Sequence, residues 1–292
     1  MLRVDRDYTI KDDIKFILEA ERINHSELSE RTKISRTTID EILKSGKTTD
    51  RVCERFYSYV YSNNYRINTV KEELILEEYR NVLFHGSKSG LSTISCDGSR
   101  DNCDFGKGFY LGQTYSQALS FVYEYDKSSV YSFRYSLDDL DVVRFDCTME
   151  WMLAICHYRG TLGPYSQNAL VANIAEQVER SDVVIAPIAD NKMFYIMAQF
   201  TEGEINADVA LHSLSASSLG QQYVFKTDKA LKSLTPLGKY YVCIPEREDC
   251  RRLMNERSYE IAFFKIPHHV FLVLALRNLK LLYLNIKTQI IQ

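Results

Sequence analysis

The sequence predicts an α+β protein in which an all-α module of about 65 residues precedes a larger mixed domain. Apolar residues recur at helical spacing through the first part of the chain. From residue 81 onward, short runs rich in Val, Ile, Phe and Tyr are separated by Gly, Ser, Asp and Asn, a pattern typical of strands. Helical segments fall irregularly between these runs, which favours an α+β domain over an alternating parallel sheet.

Composition narrows the class of protein. The 292 residues carry a formal net charge of −3, with 45% hydrophobic and 26% charged residues, which indicates a globular protein and argues against one whose whole surface coats nucleic acid or anionic membrane. No uncharged apolar run is long enough to span a membrane. Seven cysteines without a C-x-x-C pair predict a reducing, cytoplasmic location and no metal site.

Four helices are predicted within residues 1–65. The segment TIKDDIKFILEAERI forms the first, and Ser26 is the expected N-cap of the second. Ser35 is the expected N-cap of the third helix, RTTIDEILKSG, which should end at Gly46. A fourth helix follows through DRVCERFYSYVYS.

The short helices on either side of the turn at Ser35 resemble the helix-turn-helix of phage repressors, with Thr37 and Thr38 early in the recognition helix. Residues 1–65 hold 12 Lys and Arg against 12 Asp and Glu, so they lack the basic excess typical of DNA readers. Operator DNA and a partner protein such as a cognate inhibitor are therefore both candidate partners. A plain four-helix packing unit is the structural alternative.

Changes in composition divide the rest of the chain. A polar, charged segment at residues 66–80 is predicted to be a connector, and residues 81–235 form the mixed domain. Residues 236–292 form an apolar C-terminal extension to which the sequence assigns no role.

Three phrases in the mixed domain contain the candidate chemistry. The first is LFHGS, with His85, Gly86 and Ser87 at the end of a predicted strand. The second is the glycine-rich FGKGFY, which ends at Tyr110, and the third is LGQQYVF, which contains Gln222. Each phrase alone has an ordinary structural explanation, so the prediction depends on their combination.

Together and in this order, the phrases resemble the ADP-ribosyltransferase superfamily. The similar branch is the His-Tyr-Glu branch of diphtheria-type toxins and poly(ADP-ribose) polymerases, and in particular a bacterial family of uncharacterised domains. That branch has a second aromatic residue eleven positions after the motif tyrosine, and Phe121 stands at that distance from Tyr110. The resemblance implies a split β-sheet domain with peripheral helices, and NAD as co-substrate without a metal.

The resemblance also implies roles for these residues. Tyr110 and Phe121 would sandwich the nicotinamide ring by stacking and cation–π attraction. His85 would hydrogen-bond the adenosine ribose, and Ser87 would steady the dinucleotide. Gly86 lacks a Cβ, so the backbone there would approach the carboxamide closely.

Gln222 would grip the ribose 2′-hydroxyl, and it marks a departure from the branch, which usually has Glu at this position. Its carbonyl accepts a hydrogen bond but carries no negative charge. Slow catalysis, a carboxylate from elsewhere in the chain, and NAD binding without turnover all remain open. A second departure is Ala118, which stands where poly(ADP-ribose) polymerases have a serine.

A second branch of the superfamily uses Arg, a Ser-Thr-Ser strand and a Glu-x-Glu turn. The phrases LSTIS and Glu202-Gly203-Glu204 imitate the last two, but both lie outside the expected positions. These carboxylates fit better as a solvated turn at the start of a helix.

The expected function is therefore mono-ADP-ribosylation. The protein would transfer ADP-ribose from NAD to a protein or nucleic acid and release nicotinamide, in the manner of a bacterial toxin or defence effector. The alternative is a DNA-binding regulator whose second domain senses NAD or ADP-ribose without catalysis. The acceptor is not encoded in any phrase of the sequence.

Overall fold

The structure is a computed structural model that describes residues 10–189, 191–215 and 220–264. The chain divides into two compact units, Met1–Cys250 and Arg251–Gln292. The helices are α1 (Ile10–Glu21), α2 (His25–Thr32), α3 (Arg36–Ser45), α4 (Asp50–Ser62), α5 (Ile67–Glu78), α6 (Tyr115–Ser120), α7 (Met149–Tyr158), α8 (Ala169–Arg180), α9 (Asn191–Thr201), α10 (Ala207–Ser215), α11 (Asp228–Lys232) and α12 (Ile244–Phe264). The strands are β1 (Val82–Ser87), β2 (Phe109–Gly112), β3 (Ser129–Tyr135), β4 (Val142–Arg144), β5 (Val183–Pro187), β6 (Gln221–Phe225) and β7 (Leu234–Tyr241).

The four predicted N-terminal helices are present as α1 to α4, with one error in their caps. Helix α2 is capped by Asn24 and not by Ser26, because Glu27 then falls at the third helical position and completes a reciprocal capping box. Ser35 caps α3 as predicted and accepts from the Thr38 N–H. Gly46 ends α3 with a positive φ of 73°, which a residue without a Cβ adopts freely.

Helices α2 and α3 are joined by a short turn of three residues, 33–35. Ile34, Ile39 and Ile42 belong to a core that is shared with α1 and α4. Asp40, one of two acidic residues of α3, lies 2.6 Å from His25 Nδ1 of α2, so this carboxylate has a partner inside the module.

The predicted connector is in fact a helix. Residues 66–80 contain α5, whose Asn68 is buried and donates hydrogen bonds to the Tyr115 hydroxyl and the Tyr241 carbonyl. Lys71 of the same helix pairs with the buried Asp13 carboxylate of α1 at 2.6 Å. The polar composition of the segment suggested a connector, but its polar residues bond the parts of the fold on either side.

The described residues of the mixed domain form a seven-stranded sheet with the order β4-β5-β6-β2-β1-β3-β7. Only the β4–β5 pair is parallel, so the domain is α+β as predicted. Strand β7 pairs with β3 along its length, and the expected boundary at residue 235 therefore falls inside this edge strand. For residues 257–264 of the C-terminal extension, the structure describes only the helical backbone. Residues 265–292 lie outside the described residues.

One face of the sheet is covered in two separate places. Over β5 and β6, helices α7 to α10 pack through a core that includes Trp151, Val184 and Val224. Over β1, β3 and β7, helix α6 packs through a second cluster that includes Phe84 and Leu119. Strand β2 lies between the two covered regions. Within the described residues, no helix is long and apolar enough to cross a membrane.

A buried polar cluster links the N-terminal helices to the sheet domain. The Glu246 carboxylate, 8% exposed, accepts from the Tyr115 hydroxyl at 3.0 Å and from the Asn68 amide at 3.0 Å. Burial raises the pKa of Glu246 to about 7, and the two hydrogen bonds oppose that rise.

We expect Glu246→Gln to stabilise the protein selectively at higher pH. Since the folded-state pKa lies above the unfolded value, wild-type stability falls as pH rises from 4.5 to about 7. At about 1.4 kcal/mol per pKa unit, the gain of the variant over wild type should grow by up to about 3 kcal/mol across this window. Urea unfolding at a series of pH values measures it. The exposed Glu248→Gln on the same helix controls for loss of one charge, and a pH-independent gain would contradict the expectation.

Candidate functional site

The three phrases lie on three adjacent strands at the centre of the sheet. LFHGS is on β1, the end of FGKGFY is on β2, and QQYVF is β6. Gly112 of β2 is in register with Phe84 on one side and with Gln222 on the other. Because alternate residues of a strand share a face, Tyr110 and Gln222 project from the same face of the sheet. This is the face on which β2 lies between the two helical layers.

His85 lies where the backbone pairing between β1 and β2 ends. Registered pairing between these strands is confined to Phe84 and Gly112. Beyond that pair, the His85 Nδ1 atom lies 2.8 Å from the Tyr110 carbonyl oxygen, and the imidazole stacks on Phe109 with ring centroids 4.2 Å apart. A side chain therefore takes the place of the next ladder bond, where the registered pairing of β1 with β2 ends.

The environment of His85 sets its protonation state. The Tyr110 carbonyl can only accept, so Nδ1 carries the proton and Nε2 presents a lone pair. Burial lowers the pKa of His85 to about 4, partly offset by the bond to the carbonyl. At neutral pH the ring is an uncharged acceptor at Nε2, which suits a hydroxyl donor.

Gly86 and Ser87 are held by their own neighbours. A Cβ added at Gly86 would meet the Ala118 carbonyl of α6 at 2.3 Å, so the glycine permits close packing of α6 on β1. The sequence suggested space for a ligand there, and the structure supplies a packing reason independent of any ligand. Ser87 is buried, and its hydroxyl donates to the Gly90 carbonyl at 2.6 Å, which leaves its oxygen as an acceptor.

The Tyr110 hydroxyl fixes the loop before β2. It donates to the Gly106 carbonyl at 2.7 Å and accepts from the Phe105 N–H at 3.1 Å. Burial raises the pKa of Tyr110, so the hydroxyl stays protonated and keeps both bonds. The glycine-rich phrase is thus a turn closed by its own terminal tyrosine, with the ring half-buried against the core.

Phe121 follows the last residue of α6 and is 64% exposed. Among the described residues, its ring is not paired with Tyr110, so the structure does not bring the two predicted stacking rings into contact. Its exposed ring face is open to a ligand. Ala118 is buried in the same helix. Glu202 and Glu204 of the competing motif are exposed in the turn between α9 and α10, away from the central strands.

The orientation of the Gln222 amide is determined by two acceptors. Its Nε2 donates to the Asp104 Oδ2 atom at 2.9 Å and to the Pro187 carbonyl at 3.1 Å. A flipped amide would set its oxygen against both acceptors, so the nitrogen must face them. Oε1 therefore points away from them, and no described residue donates to it.

Asp104 is the residue that the sequence prediction missed. It directly precedes the FGKGFY phrase, and its buried carboxylate also accepts from Arg159, which follows α7, at 2.6 Å from Nη2 and 2.9 Å from Nε. The guanidinium lies over the Phe194 ring at 3.5 Å. The sequence contains an acidic residue beside a glycine-rich turn, but no pattern connects it to Gln222, 118 positions later.

The part of the chain that contains this site matches a known protein family. Residues 81–235 match a family described as "Protein of unknown function (DUF3990)". The chain belongs to this family. The match includes every residue of the candidate site, from His85 to Gln222. No curated protein and no solved structure matches the chain. Among the described residues of this DUF3990 member, no group of three or more His, Cys, Asp or Glu side chains could hold a metal ion.

We expect Gly86→Ala to destabilise the protein by about 2 kcal/mol or more, because its Cβ would collide with the backbone of α6. Gly98→Ala is the matched control, since a Cβ there meets nothing within 4 Å. Thermal unfolding of both variants measures the difference. Equal stability of the two variants would contradict the packing role of Gly86.

We also expect the neutral state of His85 to cost stability in acid. The folded-state pKa lies below the unfolded value of 6.5, so the unfolded state binds the proton first as pH falls from 6.5 to about 4. Relative to His85→Asn, whose amide still donates to Tyr110, wild type should lose up to about 3 kcal/mol across this window. Denaturant unfolding of both proteins from about pH 4 to about pH 7 measures the difference. A constant difference would show that His85 titrates near its ordinary pKa.

Proposed function

We propose that the protein is an NAD-dependent mono-ADP-ribosyltransferase of the His-Tyr-Gln type. The observation that supports this proposal is the placement of the three phrases on the adjacent strands β1, β2 and β6, beside the point at His85 where the registered pairing of β1 with β2 ends. Phrases that are 25 to 137 positions apart, counted from His85 to Tyr110 and to Gln222, need not have met in the fold. Their meeting on adjacent strands supports an ADP-ribosyltransferase-like domain within this α+β fold.

The polarity of the site suits the sugar hydroxyls of a dinucleotide. His85 Nε2 and Gln222 Oε1 are acceptors to which no described residue donates. Acceptors without a donor from the protein can accept from a ligand, and ribose hydroxyls are suitable donors. The exposed ring of Phe121 offers a stacking face to a flat pyridinium, which carries a positive charge in NAD.

The reaction would break the bond between the ribose anomeric carbon and the nicotinamide nitrogen. The electron pair of that bond leaves with nicotinamide and neutralises its ring, while the acceptor nucleophile bonds the anomeric carbon and gives its proton to solvent. Positive charge develops on the ribose as the bond lengthens. The role of Gln222 is to hold the 2′-hydroxyl through Oε1 and to place a partial negative charge near that developing charge.

None of the residues proposed to take part in the reaction lies in the N-terminal helices. We propose that these helices bind the macromolecular partner. Arg36 and Thr37 are exposed at the start of α3, where a recognition helix contacts its target. Operator DNA and a partner protein both fit this position. Binding of NAD without release of nicotinamide would favour the alternative of a regulator that senses NAD.

The test is release of nicotinamide from NAD by the purified full-length chain, with an extract that supplies acceptors. We expect Phe121→Ala to raise KM for NAD about ten-fold, which corresponds to loss of a stacking contact of about 1.4 kcal/mol. Tyr165→Ala is the matched control, because Tyr165 is 63% exposed, close to the 64% of Phe121, and lies outside the central strands.

His85→Ala should abolish nicotinamide release in a protein that still unfolds cooperatively. Wild-type protein that neither binds NAD nor releases nicotinamide would overturn the proposal. A rise in KM in Tyr165→Ala as large as that in Phe121→Ala would contradict the stacking role of Phe121, since the effect would then not be specific to that ring.

A further inference from the structure

We infer that Asp104 is a positioning residue for Gln222, and that it is the reason this chain uses Gln and not Glu at that position. The inference rests on the proposed function and concerns the same site. The side-chain partners of Asp104 are Arg159 and Gln222. Asp104 acts through the Gln222 amide, to which its Oδ2 atom is bonded at 2.9 Å.

The two oxygens of Asp104 have separate partners. Oδ1 accepts from both Nε and Nη2 of Arg159, and Oδ2 accepts from Gln222 Nε2. Arg159 forms an ion pair with this carboxylate, which is only 7% exposed. A charged acceptor makes a stronger hydrogen bond than a neutral one, so the amide nitrogen is held firmly.

The same contact makes Gln222 a better acceptor. A hydrogen bond from Nε2 to a carboxylate draws the amide electrons toward Oε1, as in a cooperative chain of hydrogen bonds. In place of the negative charge that a Glu would bring next to the ribose, the Asp104 carboxylate bonds the Gln222 amide and polarises it, which makes Oε1 more negative. Asp104 is the carboxylate from elsewhere in the chain whose presence the sequence left open.

A Glu at position 222 would not fit this environment. Its carboxylate would face Asp104 Oδ2 at hydrogen-bond distance and the Pro187 carbonyl near 3.1 Å, with no proton between them. Like charges buried side by side are strongly unfavourable. Replacing Gln222 by the residue usual in the branch should therefore impair this protein, which is the reverse of what the family pattern suggests.

The loop that carries Asp104 is held by the site itself. The Tyr110 hydroxyl bonds the Phe105 N–H and the Gly106 carbonyl, the two residues that follow Asp104. Lys226 Nζ also donates to the Phe105 carbonyl at 2.7 Å. Residues of β2 and β6, together with Lys226 after β6 and Arg159 after α7, thus hold the loop and its carboxylate. A positioning residue needs this rigidity.

A double-mutant cycle tests the inference. Gln222→Glu and Asp104→Asn should each lower kcat for nicotinamide release about ten-fold or more, with KM for NAD changed less than kcat. Each should also lower the melting temperature by about 5 °C or more. In the double variant, the amide introduced at position 104 donates to the carboxylate introduced at position 222, while the amide oxygen accepts from Arg159. Both losses should therefore be partly recovered relative to Gln222→Glu alone.

Asp182→Asn provides the matched control. Asp182 is also a buried aspartate, 6% exposed, and it accepts from Lys229 and Thr227. It directly precedes β5, whereas the Pro187 carbonyl that contacts Gln222 lies at the other end of that strand. Combined with Gln222→Glu, its effects on melting temperature should simply add. Recovery in this control pair would show that the rescue is not specific to Asp104.

The outcomes separate the inference from the proposed function. If Gln222→Glu is as stable and as active as wild type, or if the losses in the double variant are the sum of those in the single variants, the inference is overturned. If wild type releases no nicotinamide, the proposed function fails and with it the catalytic relevance of Asp104. The melting temperatures of wild type, the two single variants and the double variant then still decide whether Asp104 orients the Gln222 amide.

Discussion

The buried carboxylate of Asp104 is the constraint on which the site depends. A charge inside a protein is tolerated only when it is paired and hydrogen-bonded, and here the partners come from separate parts of the fold. Arg159 follows α7, Gln222 belongs to β6, and the loop itself is bound to β2 through the Tyr110 hydroxyl. Satisfying one carboxylate therefore fixes a helix end, two strands and a turn relative to one another, and it orients the Gln222 amide that β6 contributes to the proposed reaction.

The contact of His85 with β2, where the pairing of β1 with β2 ends, is the second organising feature, and α6 connects this region to the N-terminal helices. His85 replaces a ladder bond, and Gly86 lets the Ala118 carbonyl of α6 pack directly on β1. The same helix begins with Tyr115, whose hydroxyl joins Asn68 and Glu246 in the buried cluster. The helix that ends beside Phe121 is therefore bonded at its other end to the buried cluster.

Several acidic side chains of the N-terminal helices have partners inside the fold. Asp13 is buried and bonded to the Tyr57 hydroxyl and to Lys71, and Glu21 pairs with Arg31. Asp40 contacts His25. These carboxylates are therefore engaged by the fold itself. The zero net charge of the module by itself does not describe the surface that α3 presents, where Arg36 and Thr37 are exposed.

The α+β class, the four N-terminal helices, the cap at Ser35 and the three phrases could all be predicted from the sequence, because they depend on local periodicity, capping chemistry and short motifs. The sequence did not reveal that residues 66–80 contain the helix α5 or that β7 crosses residue 235, since both elements are stabilised by partners distant in the chain. Only the tertiary structure brought Asp104 to Gln222, because a hydrogen bond between residues 118 positions apart leaves no local pattern. The side chains that hold a site in place are chosen by the fold around it, and so they emerge only when the strands are assembled.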